Sequence, residues 1–189
     1  MLFLQAVIHS NNSSWYAKCM IETDRLILSR PSLDDFEDVV AMGRHEGVAR
    51  YIGGEPTTRE EAWKKLLQKI GHWSAFGFGI FTVRTRDKNT FVGEVGLAYF
   101  SRGLGAAFDP FPEGAWVLAA QAHGKGYATE AIVCAHNWMV GQHAMTRSVC
   151  IIHPENVASL RVASKLGYVQ FDVADYHSVR PLMLERSVA

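Results

Sequence analysis

Hydrophobic and polar positions along the chain change their period several times, and each change marks an element. Residues 21–30, IETDRLILSR, alternate around Leu26 and Leu28 and read as a strand that Pro31 ends. Ser32 is a suitable N-cap, and Asp34 and Asp35 favour the first turn of a helix with Phe36, Val39, Val40 and Met42 on one side. After the turn-prone residues 53–56, Thr58 and Glu61 have capping-box spacing, which predicts a second helix running to about Ile70. Two β-branched and aromatic runs, GIFTVRT and TFVGEVGLAYF, are joined by turn residues 86–89 and predict an antiparallel hairpin.

The glycine- and proline-rich stretch SRGLGAAFDPFPE then reads as a substrate-side loop before the strand GAWVLAA. From Tyr127 the period lengthens to that of a helix, with Ala128, Ala131, Ile132, Ala135 and Met139 on the inner side. Residues 146–152 form another strand. Asn156 caps a helix through Lys165, Gly167 closes it in the left-handed conformation, and strands over 168–172 and 176–185 finish the pattern. The order β-α-α-β-β-β-α-β-α-β-β predicts an α/β (α+β) fold, a mixed central sheet of about six to seven strands with helices on both faces.

Composition narrows the setting. A chain of 189 residues, 48% hydrophobic, has the apolar content for one core, so one domain is expected over residues 20–189, with residues 1–19 a peripheral N-terminal extension. The 19 basic residues are balanced by 19 acidic ones, which argues against nucleic acid or a membrane surface as partner. The apolar opening run lacks a basic leader and is too short to span a bilayer. Three cysteines without close pairing suit a reducing compartment, and a cytoplasmic location is expected.

The segment with the most chemistry is 117–131, a strand, a glycine-bearing turn and a helix in succession. Gly124 and Gly126 let the backbone turn tightly and present successive N–H groups, to which the helix start adds partial positive charge, a combination suited to a pyrophosphate. A dinucleotide fingerprint would need a third glycine where Thr129 stands, and no Walker string, G-x-S-x-G elbow or H-E-x-x-H motif occurs. Cys134, His136 and His143 diverge around a helix and do not form a metal site, so no metal is expected.

The stretch Gln121, Ala122, His123, Gly124, Lys125, Gly126, Tyr127, Ala128 resembles the Q/R-x-x-G-x-G/A acyl-CoA loop of the GNAT acetyltransferase superfamily. Thr129-Glu130-Ala131, the N-x-x-S segment from Asn156 to Ser159, the run Lys165-Leu166-Gly167-Tyr168 and the opening Thr23-Asp24-Arg25-Leu26 are similar to its ribosomal-protein-alanine N-acetyltransferase branch. The resemblance implies a GNAT fold in which two parallel central strands splay apart, here around residues 115–119 and 146–152, and the pantetheine arm of acetyl-CoA lies in the gap like an added strand. It implies cofactor contacts from Val117, Leu118, Ala119 and the loop from Gln121 to Ala128, with Asn156 and Ser159 beside the arm. It further implies direct attack by a primary amine, either a small molecule or a protein N-terminus, on acetyl-CoA as co-substrate, in a monomer or homodimer.

Glu113 is the expected general base, set against a solvated loop carboxylate; since the family's usual tyrosine position is occupied by Ala163, Ser159, which resembles the branch's serine near the sulfur, or solvent protonates the leaving group. That departure leaves a second reading open, a non-catalytic acyl-CoA-binding or sensor domain. His123 is expected to meet phosphate or solvent, and Trp73 and Phe76 to flank a loop at the acceptor pocket.

Overall fold

The computed structural model describes residues 20–177 and 179–187; the extension expected over residues 1–19 falls outside them. The chain runs β1 (Met20–Glu22), β2 (Leu26–Ser29), a 3-10 turn (Leu33–Asp35), α1 (Phe36–Arg44), α2 (Glu46–Ala49), α3 (Arg59–Phe76), β3 (Ile80–Thr85) and β4 (Phe91–Ala98). It continues through β5 (Glu113–Leu118), a 3-10 turn (Ala120–Ala122), α4 (Tyr127–His143), β6 (Arg147–Ile152), α5 (Val157–Lys165), β7 (Val169–Val173) and β8 (Leu182–Ser187).

The strands make one sheet of eight in the order β1-β2-β3-β4-β5-β6-β8-β7. The expected six to seven strands become eight because residues 21–30 fold as a hairpin of two strands rather than one. The Thr23 amide donates to the Leu26 carbonyl at 2.9 Å, and Thr23 Oγ1 accepts from the Leu26 amide at 2.9 Å, which turns the chain after Glu22. Neighbouring strands are antiparallel except β5 and β6, which are parallel and share the single register pair Glu113 and Val149. Beyond that pair the two strands separate, as the splayed arrangement requires.

Alternation in the strands sorts the helices onto two faces. Leu26, Leu28, Phe81, Val83, Val95, Leu97, Trp116 and Leu118 pack with Ala131, Ile132, Ala135 and Met139 of α4 and with Leu160 and Ala163 of α5. The opposite face carries Thr82, Arg84, Glu94, Glu113 and Val117 and meets α1, α2 and α3, through contacts such as Met42 and Val48 with Phe91. A bulge in β4 between these faces depends on Gly93. Its φ of 152° places an added Cβ 2.2 Å from the Val117 carbonyl oxygen, which no side chain accommodates.

Helix α3 continues past the expected end at Ile70 to Phe76, where Gly77 at φ 74° closes it. Gly71 does not stop it, because Trp73 in the last turns is buried against Phe81 and Trp138 and donates its indole N–H to the Ile80 carbonyl at 2.9 Å. Trp73 is therefore core rather than pocket wall; Phe76 is half exposed beside Tyr99. The last strand begins at Leu182, later than the expected 176, because Tyr176 and Val179 pair only with each other in a tight turn.

Candidate functional site

The site grows from the C-terminal end of β5. Ala119 donates its amide to the Val92 carbonyl at 2.9 Å, so by strand alternation the amides of Trp116 and Leu118 point the other way, toward β6. On β6, Val149 donates to the Pro112 carbonyl at 3.0 Å, and the next residue with that orientation is Ile151. Because the strands have parted by then, these groups face a gap instead of a partner strand.

After Leu118 the chain makes a 3-10 turn in which the amides of Ala122 and His123 bond the carbonyls of Ala119 and Ala120 at 2.8 and 3.2 Å. The His123 ring turns back as well, its Nε2 3.0 Å from the Leu118 carbonyl, so it closes the strand end rather than reaching outward. Gly124 and Gly126 follow at φ 74° and 79°, in the region glycine enters without steric cost, and α4 begins at Tyr127. Among the described residues no acceptor faces the amides of Gly124, Lys125, Gly126, Tyr127, Ala128 or Thr129, while Glu130 is the first to bond back, to the Gly126 carbonyl at 3.2 Å. Six successive amides at the positive end of a 17-residue helix fit an anionic phosphate group.

The opening Thr23 and Arg25 fasten this loop in place. Arg25 donates Nε to Glu130 Oε2 at 2.7 Å and Nη1 to the Lys125 carbonyl at 3.1 Å, and its guanidinium lies over the Tyr127 ring at 4.8 Å. Burial would raise the Glu130 carboxyl, but hydrogen bonds from Thr23 and Arg25 outweigh it and hold it below the usual glutamate range. Sequence reading noticed Thr23 and Arg25 as motif residues without their purpose, because their partner Glu130 is more than a hundred positions away.

Across the gap, Asn156 Oδ1 accepts the Ser159 amide at 3.1 Å as an N-cap. Ser159 Oγ accepts the Trp116 indole N–H at 3.2 Å, which leaves the serine hydrogen available to another acceptor. Trp116 and Ser159 thus bridge β5 and α5 beside the open amides. Deeper on this face, Tyr168 O–H lies 2.8 Å from Ser148 Oγ and 3.1 Å from His136 Nε2, all three buried beneath Gly114 and Trp116. Ala163 is wholly buried, and so are Cys150 and, in part, Cys134.

On the other face, Glu113 is the first residue of β5 and 4% exposed, which corrects the solvated-loop alternative. Both its oxygens are held by Arg102, Nε to Oε2 at 2.6 Å and Nη2 to Oε1 at 2.8 Å, and Arg102 also donates to Tyr176 O–H at 2.8 Å. Burial pushes the Glu113 carboxyl up against the downward pull of Arg102. A second buried carboxylate, Glu94 on β4, pairs with Lys69 of α3 and stands opposite Val117. Sequence reading passed over Glu94 because a glutamate inside the apolar run FVGEVGLAYF carries no motif; its place inside a strand buried along its whole length was the available signal.

The mouth of the gap is tied across its top. Arg50 and Tyr51, just after α2, meet the turn before α5 through Arg50 Nη2 to Glu155 Oε2 at 3.1 Å and a Tyr51 to His153 ring contact at 5.6 Å. A cavity of about 350 Å³ lies elsewhere, below the closed end of β5 and β6, between Tyr99, Phe111 and His143. Among the described residues, no cluster of three or more His, Cys, Asp or Glu side chains is placed to hold a metal ion, and no helix is long and apolar enough to cross a membrane.

The fold recurs in known proteins. Residues 25–169 match the family described as Acetyltransferase (GNAT) domain. A putative GnaT-family acetyltransferase from Bordetella pertussis is 31% identical and superposes with a TM-score of 0.81, covering 89% of this chain and 99% of that one. The uncharacterised N-acetyltransferase YoaA of Bacillus subtilis is 26% identical over 154 residues, 79% of this chain and 82% of its own. Spermidine N-acetyltransferase from Vibrio cholerae, solved with CoA and spermine, shares the fold at a TM-score of 0.69 and 17% identity, over 87% of this chain and 96% of that one. The family match spans Arg25 and β2, the parted strands and the turn of free amides alike, and by it the chain belongs to the GNAT acetyltransferases.

Proposed function

We propose that the protein transfers the acetyl group of acetyl-CoA to a primary amine, either a small amine or a protein N-terminus. The observation that carries this reading is the run of six acceptor-less amides at the start of α4, opening beside the gap between β5 and β6. In this reading the amides from Gly124 to Thr129 hold the pyrophosphate, and those of Trp116 and Leu118 face the arm and polarise the thioester carbonyl. Ser159, with its hydrogen free, sits where a leaving thiolate takes a proton, and Asn156 fixes Ser159 by capping its helix.

Family membership supports N-acetyltransferase activity, and the amine class is supported by the spermidine enzyme among the structural neighbours and by the motif likeness to the ribosomal-protein branch. An α-amino group, with a pKa of about 7.7–8.0, sheds its proton more readily than a lysine at about 10.4, which favours N-termini among protein acceptors. The bidentate pair with Arg102 favours the charged form of Glu113 and opposes its taking a proton, which weakens it as the base in this state. Glu113 is better read as the fixed corner of the acceptor wall.

The test combines calorimetry of acetyl-CoA binding with thiol release against peptides bearing free N-termini, polyamines and aminoglycosides. Binding with release that depends on one acceptor class supports the reading and names the class. A protein that binds no acetyl-CoA overturns it, and one that binds yet releases no thiol with any amine turns the reading toward the sensor.

A further inference from the structure

The reading above leaves the amine's proton without a destination, and the face opposite α4 supplies one. Two carboxylates are buried there, and the register of the sheet sets them at different heights. Glu113 pairs with Val149 at the closed corner, where β5 and β6 still touch. Glu94 stands opposite Val117, level with the open amides of Trp116 and Leu118 and four residues along β5 from Glu113. At a rise of about 3.3 Å per residue the two carboxylates are separated by roughly 13 Å along the strand.

Their partners differ as well. Arg102 takes both oxygens of Glu113, whereas Lys69 bonds only Oε1 of Glu94. Glu94 Oε2 has no partner among the described residues and is not one of the buried atoms sealed from solvent. The pyrophosphate loop approaches from the α4 side, so an acceptor has the other face, the one Glu94 and Val117 share. An arm added beyond β5 lies two strand spacings, about 9.6 Å, from β4, a span that the glutamate side chain and bound water bridge.

We infer that Glu94, held by Lys69, is the proton acceptor for the attacking amine, an assignment that rests on the acetyl-transfer reading. The amine nitrogen bonds the thioester carbonyl carbon, its surplus proton passes through the water to Glu94 Oε2, the carbon–sulfur bond breaks, and the thiolate is protonated by solvent or Ser159. Glu94 then returns the proton to solvent. Lys69 is a positioning residue that keeps Oε1 occupied and Oε2 turned to the acceptor.

Wild type, Glu94→Gln and Lys69→Met are compared for thiol release from acetyl-CoA with spermidine, with an N-terminal alanine peptide and with no amine, where water attacks. Acetyl-CoA binding and melting temperature are measured on each. Glu94→Gln is expected to lose about 10²–10⁴-fold in kcat with acetyl-CoA affinity kept within about twofold. Lys69→Met breaks the same ion pair but leaves the carboxylate, and is expected to lose at least about tenfold less. Equal losses in the two variants make the pair a strut and overturn the assignment, as does turnover by Glu94→Gln at the wild-type rate. Should Glu94→Gln fail to fold, Glu94→Asp takes its place; it retains a carboxylate, so turnover above that of Glu94→Ala supports the assignment and equal loss overturns it. Wild type that binds acetyl-CoA but releases no thiol, with or without amine, overturns the transfer reading and this assignment together; wild-type release with unaffected Glu94 variants overturns this assignment alone.

Discussion

Where β5 runs into the glycine turn, the groups offered to a ligand are main-chain amides; on the face carrying Glu113 and Glu94 they are side chains held by partners from other elements. The amides of Gly124 to Thr129 take their geometry from two glycines and a helix start, which are local, though Thr23 and Arg25 fasten the loop from a distance. Glu113 depends on Arg102 and Tyr176, and Glu94 on Lys69. A site made of backbone is specified by spacing and tolerates change in most side chains. A site made of paired charges is specified by tertiary contact and fails when one partner goes.

The sharpest test of that difference is Arg102→Met, which leaves Glu113 buried without its cation. Loss of one member of a buried pair costs about 3–5 kcal/mol, and denaturant unfolding is expected to show a loss of that order, largely recovered in the double variant Arg102→Met/Glu113→Gln. If the single variant unfolds like wild type, the side-chain face is less tightly specified than the contrast claims.

The α4 side has a buried histidine of its own, and it qualifies the contrast. Burial, with Arg186 nearby, pushes His136 down to about 3, so the folded protein keeps it neutral. The unfolded chain takes up the proton first as pH falls below about 6.5, and stability is lost from there down toward the folded value, at up to about 1.4 kcal/mol per unit. Between pH 6.5 and 5 the loss is about 1.6 kcal/mol, and His136→Asn is expected to flatten that part of the stability profile in urea titrations.

A smaller effect is expected from Gly126→Val. At φ 79° a side chain costs about 1–2 kcal/mol, and its Cβ would stand 3.5 Å from Arg25 Nη2. Calorimetry is expected to show acetyl-CoA binding weakened by about tenfold, with melting changed by only a few degrees. By contrast Lys125→Ala, which alters a side chain and no amide geometry, is expected to weaken binding less; the reverse order would mean that side chains, not backbone, make this half of the site.

The same division explains what could be read from the sequence. The helix from Tyr127, the Asn156 cap and the β3–β4 hairpin follow from local period and turn chemistry, and the structure has them where the pattern put them. The end of α3 falls six residues past the expected Ile70 because the burial of Trp73, a tertiary effect, carries the helix to Gly77. The β1–β2 hairpin was read as one strand because its turn is made by Thr23 bonding Leu26, without glycine or proline. Arg102 and Lys69 lay in a loop and on a polar helix face with nothing local to mark them, so the pairing that fixes both buried carboxylates was invisible until the chain was folded.

The single pair between β5 and β6 has a mechanical consequence. With Glu113 and Val149 as their one register pair, β5 and β6 leave two ladder edges open within one sheet, while the core on the α4 face holds both sides together and the Arg50–Glu155 contact adds an exposed clasp of little strength. A molecule lodged there pairs with both open edges, so loading extends the ladder across the sheet without a new element having to form.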